Sequence, residues 1–219
     1  MSPPSRMSLS GPGPDPALLP IHDTPDLPRV LLMGDSISMG YTLPVRARLQ
    51  GLANVHHPAE NCGDTGRGLR RLEMWLGSSR WDVIYFNFGL HDLKYLDAAG
   101  HYVAPEVGTQ VTTVYQYGRN LRELVSRLKS SGARLIFATT TPVPRGSPGR
   151  LAHSEGAYNE EARRVMRDLG ILVDDLHRRI AADPMRFQLP HNVHLTPSGY
   201  DHLANAVAET VRVALSAGP

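Results

Sequence analysis

A chain of 219 residues, 41% apolar and 20% charged, fits one globular domain of ordinary composition and excludes collagen-like or wholly disordered chains. No run approaches the roughly 18 consecutive apolar residues of a membrane helix, so no bilayer span is expected. The single cysteine, Cys62, excludes an internal disulfide and a cysteine-based zinc site, and the net charge of +2, with arginines dispersed along the chain, does not indicate a nucleic-acid stripe.

Residues 1–28 are dense in proline and carry no apolar period. They are expected to form a flexible arm on the surface, ahead of a domain over 29–219. Within the arm, Leu18-Leu19-Pro20-Ile21 is the part suited to docking on the body. No apolar core region follows a basic start, so a cytoplasmic protein is the default expectation.

From Arg29 onward, short apolar runs alternate with helical periods. Arg29–Met33 reads as a buried strand that ends in Gly-Asp-Ser. Asn54–His57 is a weaker second strand, Asp82–Phe88 a third, Arg134–Thr141 a fourth and Ile171–Val173 a fifth. Val111, Val114, Gly118, Leu121, Val125 and Leu128 recur every three or four positions and predict a helix within 109–131. The last helix has a defined start, with Thr196 as N-cap and Pro197 in the first turn. Tyr200, Leu203, Val207, Val211 and Leu215 then share one face. Five strands alternating with helices predict an α/β fold, a three-layer flavodoxin-like sandwich around a five-stranded parallel sheet. In such sheets the ligand crevice lies beyond the carboxyl ends of the strands.

The residues at those ends are chemically suggestive. Gly34-Asp35-Ser36 follows the first strand, Asn61-Cys62-Gly63-Asp64 the second and Gly89-Leu90-His91-Asp92 the third. His191-Asn192-Val193-His194 precedes the last helix. A serine, an imidazole and tight glycine turns are the parts of an activated nucleophile and an oxyanion site. The four blocks, in this order over roughly residues 29–215, resemble the SGNH, or GDSL, hydrolase superfamily of esterases. The resemblance implies the flavodoxin-like fold and hydrolysis of ester-like acyl bonds. It also implies Ser36 as nucleophile, His194 as base, and Ser36, Gly63 and the residue at 91 as oxyanion donors.

The chain departs from the family pattern twice. His91 stands in place of an asparagine, and a histidine donates only in the right tautomer or when charged. A structural histidine is the alternative reading. His191 stands where the family places an aspartate, three residues before the catalytic histidine. The base is then oriented by a backbone carbonyl, by Asn192, or by an acid such as Asp92, Asp174, Asp175 or Asp183; a Ser–His dyad is the favoured form.

Asp35 and Asp92 are expected mainly to brace their loops, and with Tyr41 and Arg145 they are named as residues beside the substrate. Lys94, Tyr95, Thr141 and Tyr158 lie near other strand ends, and the Pro/Gly-rich loop 142–157 is a candidate lid or specificity element. Cys62 is expected to be buried rather than reactive. His56 and His57 point to opposite faces of a strand, which argues against a shared metal; neither metal nor cofactor is expected. The reading is a serine esterase that removes a short acyl group, acetyl first, from a carbohydrate or other polar alcohol. The alternatives are a thioesterase, lysophospholipase or acyltransferase using the same serine, or a non-catalytic binding protein on a degenerate hydrolase fold. A small-molecule or glycan ester is the expected partner, with no nucleic acid.

Overall fold

The computed structural model describes residues 15–217. Five parallel strands form the central sheet: β1 (Arg29–Met33), β2 (Asn54–His56), β3 (Val83–Phe86), β6 (Arg134–Ala138) and β7 (Leu172–Asp174), in the order β2-β1-β3-β6-β7. A two-stranded antiparallel ribbon, β4 (Tyr95–Leu96) and β5 (Thr109–Gln110), is inserted after β3. The strands of the main sheet are nearly continuous apolar runs because helices cover both faces. Two helices, α1 (Ser36–Arg48) and α7 (Pro197–Ser216), pack on each other over one face. Over the other lie α2 (Thr65–Leu76), α3 (Val114–Lys129) and α4 (Glu155–Leu169); the short helices α5 (Leu176–Ala181) and α6 (Pro184–Phe187) lead into α7. This is the expected three-layer flavodoxin-like sandwich.

Local chemistry sets the helix starts. Asp35, Asp64 and Thr196 cap α1, α2 and α7 by accepting from the N–H groups of Ile37, Arg67 and Gly199. The helix predicted within 109–131 begins only at Val114, where Thr113 caps it; Thr109 and Gln110 pair in the ribbon instead. The side chains facing the sheet from α3 are Tyr117, Leu121, Leu124, Val125 and Leu128.

Of the arm expected over 1–28, residues 1–14 lie outside the described residues. Residues 15–28 are tied to the body. Arg46 donates to the carbonyls of Pro16, Ala17 and Leu19, and Ala17 is buried. Asn54 at the start of β2 exchanges hydrogen bonds with Thr24 and also donates to the Leu27 carbonyl. Leu18 to Ile21 contains part of this docked stretch, but the anchor is an arginine on α1 rather than apolar contact alone.

The packing of α1 on α7 brings the front and rear of the chain together. A Cβ on Gly40 would stand only 2.1 Å from the Tyr200 ring, so the glycine lets that ring lie against the α1 backbone. Ser36 opens α1 and His194 lies just ahead of the Thr196 cap of α7, so this packing brings the two into one region.

Candidate active site

Ser36 is the first residue of α1, at the carboxyl end of β1. Its Oγ lies 2.9 Å from Nε2 of His194, 158 positions away in sequence. The other side of the imidazole is fixed by Asn192. One amide oxygen, Asn192 Oδ1, accepts both the His194 backbone N–H (3.0 Å) and Nδ1–H of the ring (2.8 Å). A backbone N–H is always a donor, so the atom facing it must be oxygen, and the ring nitrogen on the same oxygen must carry the proton. Nε2 therefore presents its lone pair to the serine hydroxyl. Burial and the Arg150 guanidinium both hold the imidazole below its usual range.

The candidate oxyanion donors are held around the same serine by a set of braces. The Cys62 N–H donates to the Gly34 carbonyl (3.0 Å), which joins the second block to the first. Thr65 donates to Asp92 from its N–H (3.0 Å) and its hydroxyl (2.5 Å), which joins the second block to the third. The Ser36 N–H sits in the first turn of a helix, where N–H groups lack intrahelical partners. Gly63 has φ +68°, a conformation that favours glycine, and an added Cβ would also crowd the Arg67 side chain at 2.9 Å. Its N–H donates to Asn61 Oδ1 at 2.9 Å in a local turn.

His91 borders two adjoining cavities. One, of about 320 Å³, also touches Ser36, His194, Tyr102 and Arg150; the other, of about 280 Å³, touches Gly63 and Lys94. Lys94 Nζ lies 3.2 Å from His91 Nδ1. An ammonium can only donate, so Nδ1 accepts and the proton of the neutral ring resides on Nε2. Burial, together with the charges of Lys94 and Arg150, pushes the His91 pKa down to about 3, so the ring stays neutral at ordinary pH.

A serine, an imidazole and glycine-turn N–H groups thus stand in the order and at the places that the sequence blocks imply. The pattern of the GDSL-like lipase/acylhydrolase family matches residues 32–202. The chain belongs to that family. The hydrolase is accordingly an ester hydrolase of the serine type. No curated protein matches it in sequence. Among solved structures it is similar to the lipase/acylhydrolase from Enterococcus faecalis, with TM-score 0.71, 19% identity, and 85% of this chain and 96% of that chain covered. It is also similar to the acetyl xylan esterase AlAXEase, with TM-score 0.67, 16% identity and coverage of 84% and 99%. An acetylxylan esterase from Geobacillus stearothermophilus matches with TM-score 0.67, 18% identity and coverage of 84% and 94%. At these identities the likeness shows the shared fold.

The structure places the other expected residues unevenly. Asp35 is fully buried beneath the serine as the α1 cap; burial raises its carboxyl to about 6, and its second oxygen has no partner. Asp92 is the buried brace already described. Neither carboxylate can reach a substrate, which corrects their assignment beside it. Tyr41 is 1% exposed, because positions 37, 41 and 45 form the face that α1 turns to the core. It too is excluded from substrate contact. Arg145 has an exposed side chain outside the two cavities, and only its carbonyl takes part, accepting from His191 Nδ1 at 2.9 Å. Arg150, five residues on, reaches the cleft instead.

His191, where the family has its aspartate, adopts φ +56° and turns toward the Arg145 carbonyl rather than toward His194. The acids considered behind His194 are engaged elsewhere: Asp174 with Tyr85 and Thr210, Asp175 with Thr139 and Arg163, and Asp183 as the cap of α6. Thr141 and Tyr158 are buried, and Lys94 lines the second cavity. Cys62 is fully buried and its thiol is pushed up by desolvation.

A second serine–histidine pair, Ser38 Oγ to His57 Nε2 at 2.7 Å, is enclosed. With both side chains inside, it offers no nucleophile to a substrate. His56 pairs with Asp23 at 2.7 Å. Among the described residues no three His, Cys, Asp or Glu side chains gather as metal ligands. Arg150 and Tyr102 were not legible as cleft residues, since one lies in an irregular loop and the other in the ribbon insertion.

Proposed function

We propose that this hydrolase removes a short acyl group, acetyl first, from an oxygen of a carbohydrate or similar polar alcohol, through an acyl-enzyme on Ser36. His194 Nε2 takes the hydroxyl proton as Ser36 Oγ attacks the ester carbonyl. The tetrahedral intermediate carries its negative charge on the former carbonyl oxygen. The N–H groups of Ser36 and Gly63 and the Nε2–H of His91 are its donors; Gly63 shares its N–H between Asn61 and the oxyanion. Collapse returns the proton from His194 to the departing alcohol oxygen. Water then attacks the acyl-enzyme with His194 again as base, releasing the acid and restoring Ser36.

The observation that carries this reading is the 2.9 Å contact between Ser36 and an imidazole whose tautomer is set by Asn192. In place of the aspartate of a triad stands a neutral amide. It orients the ring but supplies no negative charge to stabilise the imidazolium. A cleft of about 320 Å³, at the small end of ligand pockets, favours a short acyl group over a long tail.

The test is a panel of p-nitrophenyl esters of increasing chain length, with Ser36→Ala as control and organophosphonate labelling of the serine. Turnover that falls with chain length and vanishes in Ser36→Ala supports the reading. Rates that climb with chain length point to the lysophospholipase alternative. Absence of both turnover and labelling overturns it.

A further inference from the structure

Two cations, Arg150 and Lys94, line the two adjoining cavities without a carboxylate hydrogen-bond partner among the described residues. Arg150 Nε donates to the Leu90 carbonyl (3.0 Å) and Nη1 to that of Pro148 (3.1 Å), leaving Nη2 unengaged among the described residues. Lys94 spends one N–H on His91 and has two to spare. Both charges lie 5.3 Å from the centre of the Tyr102 ring. Several other partly buried arginines have acidic partners, such as Arg67 with Glu60, Arg127 with Glu73 and Arg163 with Asp175, whereas Arg46 spends its guanidinium on four carbonyls that tie down residues 15–28 and β2 and leaves no edge toward a cleft.

Both side chains are half-buried. Removing a cation from water is costly, and carbonyls, an imidazole and a ring face offset that cost without neutralising the charge. The nearby acids are already committed. Asp64 caps α2 and Asp35 is enclosed beneath Ser36. Asp35 acts on both cations through space from its buried position but makes no hydrogen bond to either, so an anion arriving in the cleft is the counter-charge that can touch them.

We infer that the alcohol part of the substrate carries a carboxylate, as in an O-acetylated acidic sugar or hydroxy acid, bound by Arg150 and Lys94 beside Tyr102. The planar guanidinium suits a carboxylate, and Arg150 lines the cavity that holds Ser36 and His194. The tyrosine ring holds the two cations near one another. This rests on Ser36 as the nucleophile, and it narrows the polar alcohol to an anionic one.

The test compares two acetyl esters of nearly the same shape, 4-acetoxybenzoate and its neutral amide, 4-acetoxybenzamide, each rate divided by its hydroxide-catalysed rate. The wild-type enzyme is expected to favour the anion by about tenfold or more in kcat/KM at low salt, from one charge-assisted contact. That preference should fall with rising salt and drop several-fold in both Arg150→Gln and Lys94→Gln. Any general damage by either substitution affects both esters and cancels in the ratio. A wild-type ratio near one, insensitive to salt, overturns the inference while Ser36-dependent hydrolysis still stands. Absence of Ser36-dependent turnover of either ester removes the reading of the site, and this inference with it.

Discussion

Lys94 Nζ lies 3.2 Å from Nδ1 of His91, so the proton of the neutral ring sits on Nε2. The donor-only ammonium leaves the ring one neutral tautomer, with Nε2–H available. Since His91 is neutral down to about pH 3, no ionisation of this residue should appear in the working range.

This relationship gives a sharp prediction with a neutral ester. His91→Ala should lower kcat about 100-fold, the scale of one lost oxyanion donor in other serine hydrolases. His91→Asn should recover most of that loss. Lys94→Gln should lower kcat about tenfold in the wild-type background, because one nitrogen then no longer dictates the tautomer. In the His91→Asn background the same substitution should cost nothing, since an amide needs no such fixing. A cycle of these variants, measured as kcat and KM separately, checks it. Equal losses in both backgrounds show that Lys94 does not act through His91.

The acid limb of the pH profile should follow His194. Its base form is the neutral one, and burial and Arg150 lower its pKa. Activity should therefore rise with pH and reach half its maximum below 6.5. Arg150→Gln removes a repelling charge and should move that midpoint upward. Asn192→Asp should also raise it, because a carboxylate favours the imidazolium. Asn192→Ala should lower kcat about 10- to 100-fold through loss of ring orientation, a smaller effect than the roughly 10⁴-fold seen where a triad aspartate was replaced and the tautomer reversed. The log kcat/KM profiles of the four proteins supply the comparison.

Gly40→Ala tests how the two ends of the chain are joined. The new methyl would meet the Tyr200 ring at 2.1 Å, so α1 and α7 must separate or the ring must move. Overpacking of this kind costs about 1–3 kcal/mol, and a small shift between Ser36 and His194 should reduce kcat well beyond the loss of folded protein. Thermal melting and kcat read the two effects, and Gly40→Ala with Tyr200→Leu should recover part of both. An unchanged melting temperature and rate would place the control of the Ser36–His194 distance elsewhere.

Asp35 should make the protein less stable as pH rises. Its folded pKa of about 6 exceeds the ordinary 3.8, so the folded state holds the proton more tightly than the unfolded chain. The stabilisation from that proton is complete below about pH 4 and is lost as pH rises through about 6. Asp92, raised to about 7, acts in the same sense over a slightly higher window. Asp35→Asn keeps an acceptor for the Ile37 N–H and has no charge to bury. It should stabilise the protein at pH 8 by up to about 3 kcal/mol and have little effect at pH 4. Urea unfolding of both proteins at the two pH values measures this difference.

Sequence alone determined the layers and the list of parts. Apolar runs such as Arg29–Met33 and Arg134–Ala138 mark buried strands because both faces of a parallel sheet are covered, and that burial is written along one stretch of chain. The Thr196-Pro197 start of α7 was equally local. The blocks around Ser36, Gly63, His91 and His194 pointed to the GDSL-like family by residue type and order. Tertiary structure alone decided which side chains meet. Asn192 rather than any acid holds His194, because the backbone at His191 turns that neighbour away. Lys94 sets the tautomer of His91, Arg150 reaches the cleft where Arg145 does not, and Tyr41 fills the core. Periodicity encodes the face an element buries, whereas hydrogen bonds between distant side chains depend on how loops close in space, and no local pattern carries that.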